Sequence, residues 1–365
     1  FLDILALGFM VPINEQFYND AGAASYGSNA DKLIYNGPYV ISGWEHEVSL
    51  VMTKNEKYWN AGAVTLTEIK GLIVRDAESA VSAFIDGNLD IVDLSGSGAA
   101  IQVKAQDHEV QSFYDGATFY LELNLTRPDL QNQNIRTAIA YALNRADFCE
   151  NVLKDHSAPA LAFISPAVRS AGGSGSFRGK VGDLLEDNSR TKAKRLYEKG
   201  LSELDVSSLD LSILCEETES AILQANAIAA HLQANLGLEL AVEPVAFGDR
   251  LQRLSGKNYD LALSGREPGY NDPLAFLELF AAGNANNHTG YSSEAYRKLL
   301  AQALITVNDK DRQKICQDME ELLLADLPII PVYFRMQDYA VASGLKGVYR
   351  SAFQNLLFTY AYVEK

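Results

Sequence analysis

Cysteine is scarce in this chain of 365 residues, which contains only Cys149, Cys215 and Cys316. These three residues lie far apart and form no CxxC pair, so the sequence predicts neither a disulfide framework nor a cysteine-ligated zinc site. Cys149 and Cys316 fall in segments with a helical pattern, at positions that a small apolar residue would serve equally well. We therefore predict buried, inert thiols and not a nucleophile.

Basic residues are in the minority. The chain has 31 Lys and Arg against 47 Asp and Glu, which gives a formal net charge of -16 at pH 7. A surface that binds nucleic acid needs clustered Lys and Arg to displace counterions from the phosphates, and no such cluster occurs. We expect no nucleic-acid partner, and we interpret the acidic excess as a solvated surface.

Long apolar runs and the common motifs of catalytic and metal-binding sites are also missing. No uninterrupted run of about 18 apolar residues occurs, so no transmembrane helix is predicted. The five histidines form no HxH, HxxxH or HExxH group. The glycine-serine cluster from Gly172 to Gly175 lacks the Lys-Ser/Thr of a P-loop, and no GxSxG motif is present. We therefore predict no catalytic site, no metal ion and no cofactor.

The segment from Thr118 to Arg145 has the clearest pattern in the chain. Apolar and polar residues alternate up to Arg127-Pro128, which is typical of a strand with two unlike faces. From Asn134, the predicted N-cap, apolar residues recur at three and four positions, which predicts a helix. We interpret the strand as a crossing between two lobes and the helix as the first element of the second lobe.

Three polar residues, Tyr120, Glu122 and Asn124, share one face of this predicted strand. If the alternating leucines face the core, these polar side chains face a cleft between the lobes. An ordinary polar face of an edge strand is the alternative.

Alternating strand and helix patterns predict an α/β fold. The first part contains a hairpin or bulged strand pair within 39–59, a strand at 68–74, a helix capped by Asp76 with Gly87 as its stop, and a strand at 89–92. The second part contains helices at 188–200, 218–234, 247–254, 292–304 and 309–325, and strands at 209–214, 238–245 and 259–264. In doubly wound units of this kind, ligands gather at the carboxyl ends of the strands.

A second short apolar strand, 328–334, predicts a return crossing. Residues 1–124, completed by 343–365, are therefore predicted to form a first lobe, and residues 125–334 to form the second α/β lobe. Residues 335–342 are predicted as the return through a two-strand hinge. Lobes joined in this way can close around a ligand that binds both of them.

The chain resembles the extracytoplasmic solute-binding proteins of peptide ABC importers, the oligopeptide- and dipeptide-binding family. The segments that carry the resemblance span the whole chain: NGPY at 36–39, KNEKYW at 54–59, FIDGNLDI at 84–91, LN at 123–124, IRTA at 135–138, YNDP at 270–273 and PIIPVY at 328–333. The resemblance implies a bilobed type II periplasmic-binding-protein fold, a peptide or similar small solute as ligand, and a membrane permease as partner.

The same resemblance implies a monomer outside the cytoplasm, either periplasmic or lipid-anchored at the cell surface. It also implies a chain truncated at the N-terminus, because family members carry a long portion ahead of the position that matches Phe1. A ligand-sensing surface receptor on the same fold and a peptide hydrolase are the alternatives.

The loop after the strand at 259–264 is the predicted binding site. Arg266 and Glu267 follow a predicted buried strand, where a charged pair can hold a polar or charged ligand by bidentate hydrogen bonds. A surface ion pair on a loop is the alternative. Asp272 is expected to cap the next helix and not to contact a ligand.

The resemblance adds Tyr270 and Asn271 as ligand contacts, and it reveals one departure. Gly269 stands where family members often place an aspartate that pairs with the amino terminus of the peptide. Arg266 is therefore expected to be the main polar contact and to favour a ligand with an anionic group. The predicted ligand-binding residues are Arg266, Glu267, Gly269, Tyr270, Asn271, Tyr120, Glu122 and Asn124.

Overall fold

The computed structural model describes residues 10–94, 97–106, 108–170, 175–350 and 356–364. These residues form an α/β fold, as predicted. Residues 172–174 of the glycine-serine cluster and the start of the chain at Phe1 lie outside the described ranges. None of the helices in these ranges combines the length and the apolarity that a membrane span requires.

The chain divides into two compact units: Phe1–Phe113 with Gln337–Lys365, and Tyr114–Met336. The predicted division into 1–124 with 343–365, and 125–334, differs in its boundaries. The function of the two units as closing lobes stays a prediction.

The N-terminal part of the first unit contains a sheet of antiparallel strands in the order β1-β2-β3. Its helices and strands are α1 (Glu15–Ala21), β1 (Tyr39–Glu45), β2 (Ser49–Lys54), β3 (Glu68–Leu72), α2 (Ala77–Ile85), β4 (Ile91–Leu94) and α3 (Ser97–Lys104). The register of β1 and β2 shifts between Ile41 and Gly43, which confirms the bulged strand pair. Asp76 caps α2 as predicted, because its Oδ2 accepts a hydrogen bond of 2.8 Å from Ser79 N.

Two long strands, β5 (Val110–Leu123) and β10 (Ile329–Val341), each continue from one unit into the other. Strand β5 begins well before Thr118, where the predicted strand starts, and β10 ends well after residue 334, where the predicted strand ends. The polar residues Asp115 and Arg335 interrupt the apolar pattern within them, and these residues are bonded to each other inside the second unit.

The second unit is built on a mixed sheet in the order β10-β5-β9-β7-β8. Its other strands and helices are α4 (Pro128–Gln131), α5 (Gln133–Ala142), α6 (Arg145–Asp147), β6 (Ala158–Pro159), α7 (Phe177–Val181), α8 (Arg190–Leu204), β7 (Leu211–Glu216), α9 (Glu219–Leu236), β8 (Leu240–Val245), α10 (Phe247–Ser255), β9 (Leu261–Arg266), α11 (Leu274–Leu277), α12 (Glu294–Ile305) and α13 (Asp309–Asp326). Strand β7 is parallel to β8 and β9, whereas β5 is antiparallel to β9. The predicted alternation of parallel strands with α9 and α10 is confirmed.

Two predicted helix ends of the second unit are wrong. Asn132, not Asn134, caps α5, because its Oδ1 accepts hydrogen bonds from Asn134 N at 2.9 Å and from Ile135 N at 3.2 Å. Gly200 does not end α8, which continues to Leu204. A Cβ at Gly200 would lie 2.5 Å from Ile135 Cδ1, so this glycine allows α8 to approach α5 closely.

The C-terminal part of the first unit contains short strand pairs. Strand β11 (Leu345–Lys346) pairs with β14 (Tyr362–Val363), and β12 (Tyr349–Arg350) pairs with β13 (Leu356–Leu357). The end of β10 pairs with β4 in an antiparallel register, with Val341 opposite Ile91.

Candidate functional site

The candidate site lies in the second unit, where β9 ends and the chain enters the loop 267–273. Strands β5 and β9 place Thr118 opposite Arg266 and Phe119 opposite Gly265. Because side chains alternate between the two faces of a strand, Arg266 and Gly265 belong to opposite faces of the sheet. Arg266 and Gly265 therefore contact different parts of the unit.

Arg266 fixes the loop onto the sheet. Its Nε donates a hydrogen bond of 2.9 Å to the carbonyl oxygen of Ala275 in α11, and its Nη2 donates to the same oxygen. No carboxylate of the described residues forms an ion pair with Arg266, and its Nη1 has no hydrogen-bond partner among them. The side chain is thus held at one edge, and its role as the main polar contact of a ligand stays a prediction.

The far end of the loop is held by side chains from outside it. Asn271 Oδ1 accepts a hydrogen bond of 2.8 Å from Arg169 N, and its carbonyl oxygen accepts one of 3.2 Å from Arg169 Nε. The Tyr270 hydroxyl donates to Glu278 Oε1 at 3.1 Å. Burial, followed by the charge of Glu278, raises the pKa of Tyr270, so the phenol stays neutral. Both residues predicted as ligand contacts therefore have partners within the unit.

Asp272 is buried and stabilises the start of α11, as expected. Its Oδ1 accepts a hydrogen bond of 2.9 Å from Leu274 N. Both carboxylate oxygens also accept hydrogen bonds of 2.7 Å from Arg312. This bidentate pair links the loop to α13, and it leaves Asp272 no role as a ligand contact.

Gly269 differs from its neighbours because it faces open space. A Cβ built on Gly269 would meet no heavy atom within 4 Å. The loop is therefore fixed at Arg266 and from Tyr270 onwards, and a side chain at position 269 has room beside it.

Glu267 pairs with Arg335 of β10, which sequence reasoning did not identify. The Arg335 Nη2 donates to Glu267 Oε1, and its Nε donates to Asp115 Oδ2 of β5. Burial lowers the pKa of Arg335, but Asp115 and Glu267 together raise it above its usual value, so the guanidinium is cationic. The predicted alternative, a surface ion pair between Arg266 and Glu267, is wrong, because Glu267 pairs with Arg335 and Arg266 bonds to the Ala275 carbonyl oxygen.

Aromatic rings lie beside this ion pair. The rings of Phe119 and Tyr333 are stacked, with centroids 4.6 Å apart and an interplanar angle of 4°. The Arg335 guanidinium carbon lies 5.4 Å from the Phe119 centroid, a cation–π arrangement. The Tyr333 hydroxyl donates to Gln224 Oε1 at 3.1 Å. The end of the sheet therefore combines an apolar surface with a cation.

Tyr120, Glu122 and Asn124 are not on a solvated face. All three are buried, as are the alternating leucines, so the interpretation of this strand as having one buried face is wrong. Glu122 Oε2 lies 3.2 Å from His288 Nδ1. Asn124 Nδ2 donates to the carbonyl oxygens of Lys257 at 2.9 Å and Tyr259 at 2.7 Å.

The described residues contain no group of three or more His, Cys, Asp or Glu side chains that could hold a metal ion. The arrangement at the end of β9 suits the binding of a small polar molecule through an exposed carboxylate, a guanidinium and a partly buried ring.

Comparison with known proteins decides the class of this protein. Residues 5–288 match the family described as bacterial extracellular solute-binding proteins, family 5 (middle). This chain belongs to that family. The match confirms the predicted class, a solute-binding protein of the type II periplasmic-binding-protein fold and not an enzyme.

Two curated relatives are similar over most of this chain. The dipeptide-binding protein DppE of Bacillus subtilis is 31% identical over 352 residues, which cover 96% of this chain and 64% of the relative. The oligopeptide-binding protein OppA of the same species is 26% identical over 373 residues, which cover 99% and 67%. The chain therefore spans about two thirds of the length of these relatives.

A solved structure is also similar to this chain over its whole length. Listeria monocytogenes OppA bound to peptide has a TM-score of 0.72 and 29% identity, and the match covers 100% of this chain and 71% of that one.

The cluster of Asp115, Phe119, Tyr333 and Arg335 is the part of the candidate site that sequence reasoning missed. The predicted strand at 328–334 ended one residue before Arg335. One signal was available: beyond Arg335, the apolar residues Tyr339, Ala340 and Val341 resume, which is consistent with a strand that passes through a charged position.

Proposed function

We propose that this protein is the substrate-binding component of an ABC importer, which captures oligopeptides or similar small solutes and delivers them to a membrane permease. The observation that carries this proposal is the family match over residues 5–288, together with the 31% identity to a dipeptide-binding protein. The peptide-bound structure of a relative that matches all of this chain adds support.

Ligand contacts centre on residues 264–271 in this proposal. Glu267 and Gly269 supply the exposed positions of the loop, and Arg266 supplies the Nη1 edge of its guanidinium. Tyr270 and Asn271 shape the loop from behind, because their polar atoms bind Glu278 and Arg169.

Direct ligand contact by Tyr120, Glu122 and Asn124 is the least supported part of the proposed site. All three are buried, and the polar groups of Glu122 and Asn124 already have partners in the same unit. A supporting role beneath the loop fits these contacts better.

We also propose that the protein is a monomer that works outside the cytoplasm, either free in the periplasm or held at the cell surface by a lipid. It has no nucleic-acid partner, which agrees with the net charge of -16. Size-exclusion chromatography with light scattering tests the monomer, and fractionation of cells tests the location.

Native mass spectrometry of the full-length protein, followed by exposure to a pool of dipeptides to pentapeptides, tests the function. We expect intact peptides to be bound in a one-to-one complex and to be recovered uncleaved after denaturation. Cleaved peptides would identify a hydrolase. If no peptide is retained and the permease operates without the protein, the proposal is wrong.

A further inference from the structure

We propose that Arg335 binds a carboxylate of the ligand, and that Glu267 occupies this position when no ligand is present. This inference rests on the proposed function, because it specifies the chemistry of a ligand that the site takes. It assigns a binding role to a residue that neither the motifs nor the predicted site includes.

The two carboxylates on Arg335 are held very differently. Asp115 has a fully buried side chain, and its Oδ1 also accepts a hydrogen bond of 2.9 Å from Ala117 N. Glu267 lies on the loop with a side chain that is 60% exposed. Removal of Asp115 would leave a buried cation without its partner, whereas an exposed ion pair contributes little and exchanges easily with solvent. Glu267 is therefore the partner that a ligand can replace.

The guanidinium of Arg335 has unused binding capacity. Its Nε is taken by Asp115 and its Nη2 by Glu267, and its Nη1 has no hydrogen-bond partner in the described ranges. A carboxylate that binds Nη1 and Nη2 together forms two parallel hydrogen bonds, where Glu267 forms one. A ligand carboxylate thus has a geometric advantage over Glu267.

The surroundings of Arg335 indicate which carboxylates fit best. The partly buried ring of Phe119 lies under the guanidinium, and the residue beside its edge is the exposed Gly265. A ligand that carries an apolar or aromatic group next to its carboxylate can contact this ring while it binds Arg335. The inferred ligand class is therefore a carboxylate next to an apolar group, such as a peptide that ends in an apolar residue.

Benzoate and benzamide are suitable probes, because they share the ring and differ in the carboxylate. Their binding is measured by calorimetry or by NMR titration on the wild type, Glu267→Gln, Arg335→Lys and a control, Glu243→Gln. The control removes one charge from another pair in the same unit, Glu243 with Arg253, away from the loop. It therefore reports the effect of net charge alone.

We expect Glu267→Gln to bind benzoate about two- to fivefold more tightly than the wild type, since a half-exposed ion pair no longer competes. Benzamide affinity should not change, and the control should match the wild type for both probes. Arg335→Lys keeps the charge but loses the fork, so benzoate binding should weaken. This variant retains a cation for Asp115, which protects the fold.

Equal affinities of Glu267→Gln and the wild type for benzoate would overturn the inference, as would tighter binding in the Glu243→Gln control. Weaker benzoate binding by Glu267→Gln would also overturn it. The proposed function is judged separately, by the retention of intact peptides. If peptides bind but Glu267→Gln does not increase the preference for free-acid over amidated peptides, only the inference about Arg335 fails.

Discussion

Gly265 and Phe119 are packed directly against each other across the β5–β9 pair. A Cβ built on Gly265 would lie 3.0 Å from Cε1 and 3.1 Å from Cζ of the Phe119 ring. The Phe119 ring also stacks on the ring of Tyr333 in β10. Because position 265 has no side chain, the Phe119 ring of β5 can lie against β9 and stack on Tyr333 of β10 at the same time.

The substitution Gly265→Ala should displace the Phe119 ring and lower the free energy of unfolding by about 1 kcal/mol, and Gly265→Val by up to about 3 kcal/mol, the range for overpacking. Urea denaturation measures both. Gly269→Ala is the matched control, because it changes a glycine four positions later that faces open space. If Gly265→Val is as stable as this control, the ring can move without cost and the contact has no structural weight.

Arg266 should contribute to stability as well as to binding. Removal of its side chain in Arg266→Ala leaves the Ala275 carbonyl oxygen without two donors, which should lower the free energy of unfolding by about 1–2 kcal/mol. Arg297→Ala, which breaks an exposed pair on α12, should cost less than about 1 kcal/mol. Chemical denaturation distinguishes the two. An unchanged midpoint in Arg266→Ala would show that these two hydrogen bonds do not stabilise the unit.

The sequence patterns were sufficient for the elements whose periodicity is local. The alternation of α9 and α10 with the parallel strands follows from apolar spacing, and the cap at Asp76 follows from a side chain next to the helix start. Long strands with a charged interior position could not be predicted in the same way. In the sequence, the charges of Asp115 and Arg335 indicate strand ends. Only the folded structure shows that each charge is paired with the other, 220 residues away.

The loop 264–271 stays a predicted site, and the contacts of its residues depend on distant partners. Glu122 and Asn124 look solvated in a strand pattern, yet His288 and the carbonyl oxygen of Lys257 satisfy them inside the unit. Likewise, the Ala275 carbonyl oxygen occupies Arg266. No local pattern contains this information, because each partner arrives only when the sheet and its helices pack together.

Breaking the pair between Asp272 and Arg312 should destabilise the second unit strongly. Asp272→Asn removes the charge of the buried carboxylate from a partly buried bidentate pair, and the loss of one partner of a buried pair costs up to about 3–5 kcal/mol. Glu294→Gln, which acts on an exposed pair with Arg297, should cost less than about 1 kcal/mol. Equal losses in the two variants, measured by thermal and urea unfolding, would show that the buried pair is not special.

The buried cysteines should make stability depend on alkaline pH. Burial raises the pKa of Cys149 and of Cys316 to about 12, from an ordinary 9.0, so both thiols stay neutral in the folded state at pH 8. The unfolded thiols lose their protons near pH 9. Their contribution to stability is therefore complete below pH 9 and is lost between pH 9 and 12.

A thiol reagent at pH 8 should accordingly react with the unfolded protein and not with the folded one. The wild type should also lose more stability between pH 9 and 11 than a variant with both Cys149→Ala and Cys316→Ala. Rapid reaction of either thiol in the native state, or identical pH profiles of the two proteins, would contradict the predicted burial effect.

Gly269→Asp should add an anchor for a peptide amino group. The position is exposed and a Cβ there meets nothing within 4 Å, so the change should fit without strain. A hydrogen bond between two charged groups contributes about 1.5–3 kcal/mol, which corresponds to an increase in affinity of roughly tenfold or more.

Gly269→Asn is the matched control, since it has the same shape and no charge. Calorimetry on the full-length protein with trialanine and N-acetyl-trialanine measures the effect: Gly269→Asp should favour the free amine, and Gly269→Asn should bind both peptides as the wild type does. Equal preference in the aspartate and asparagine variants would place the peptide amino group away from this loop.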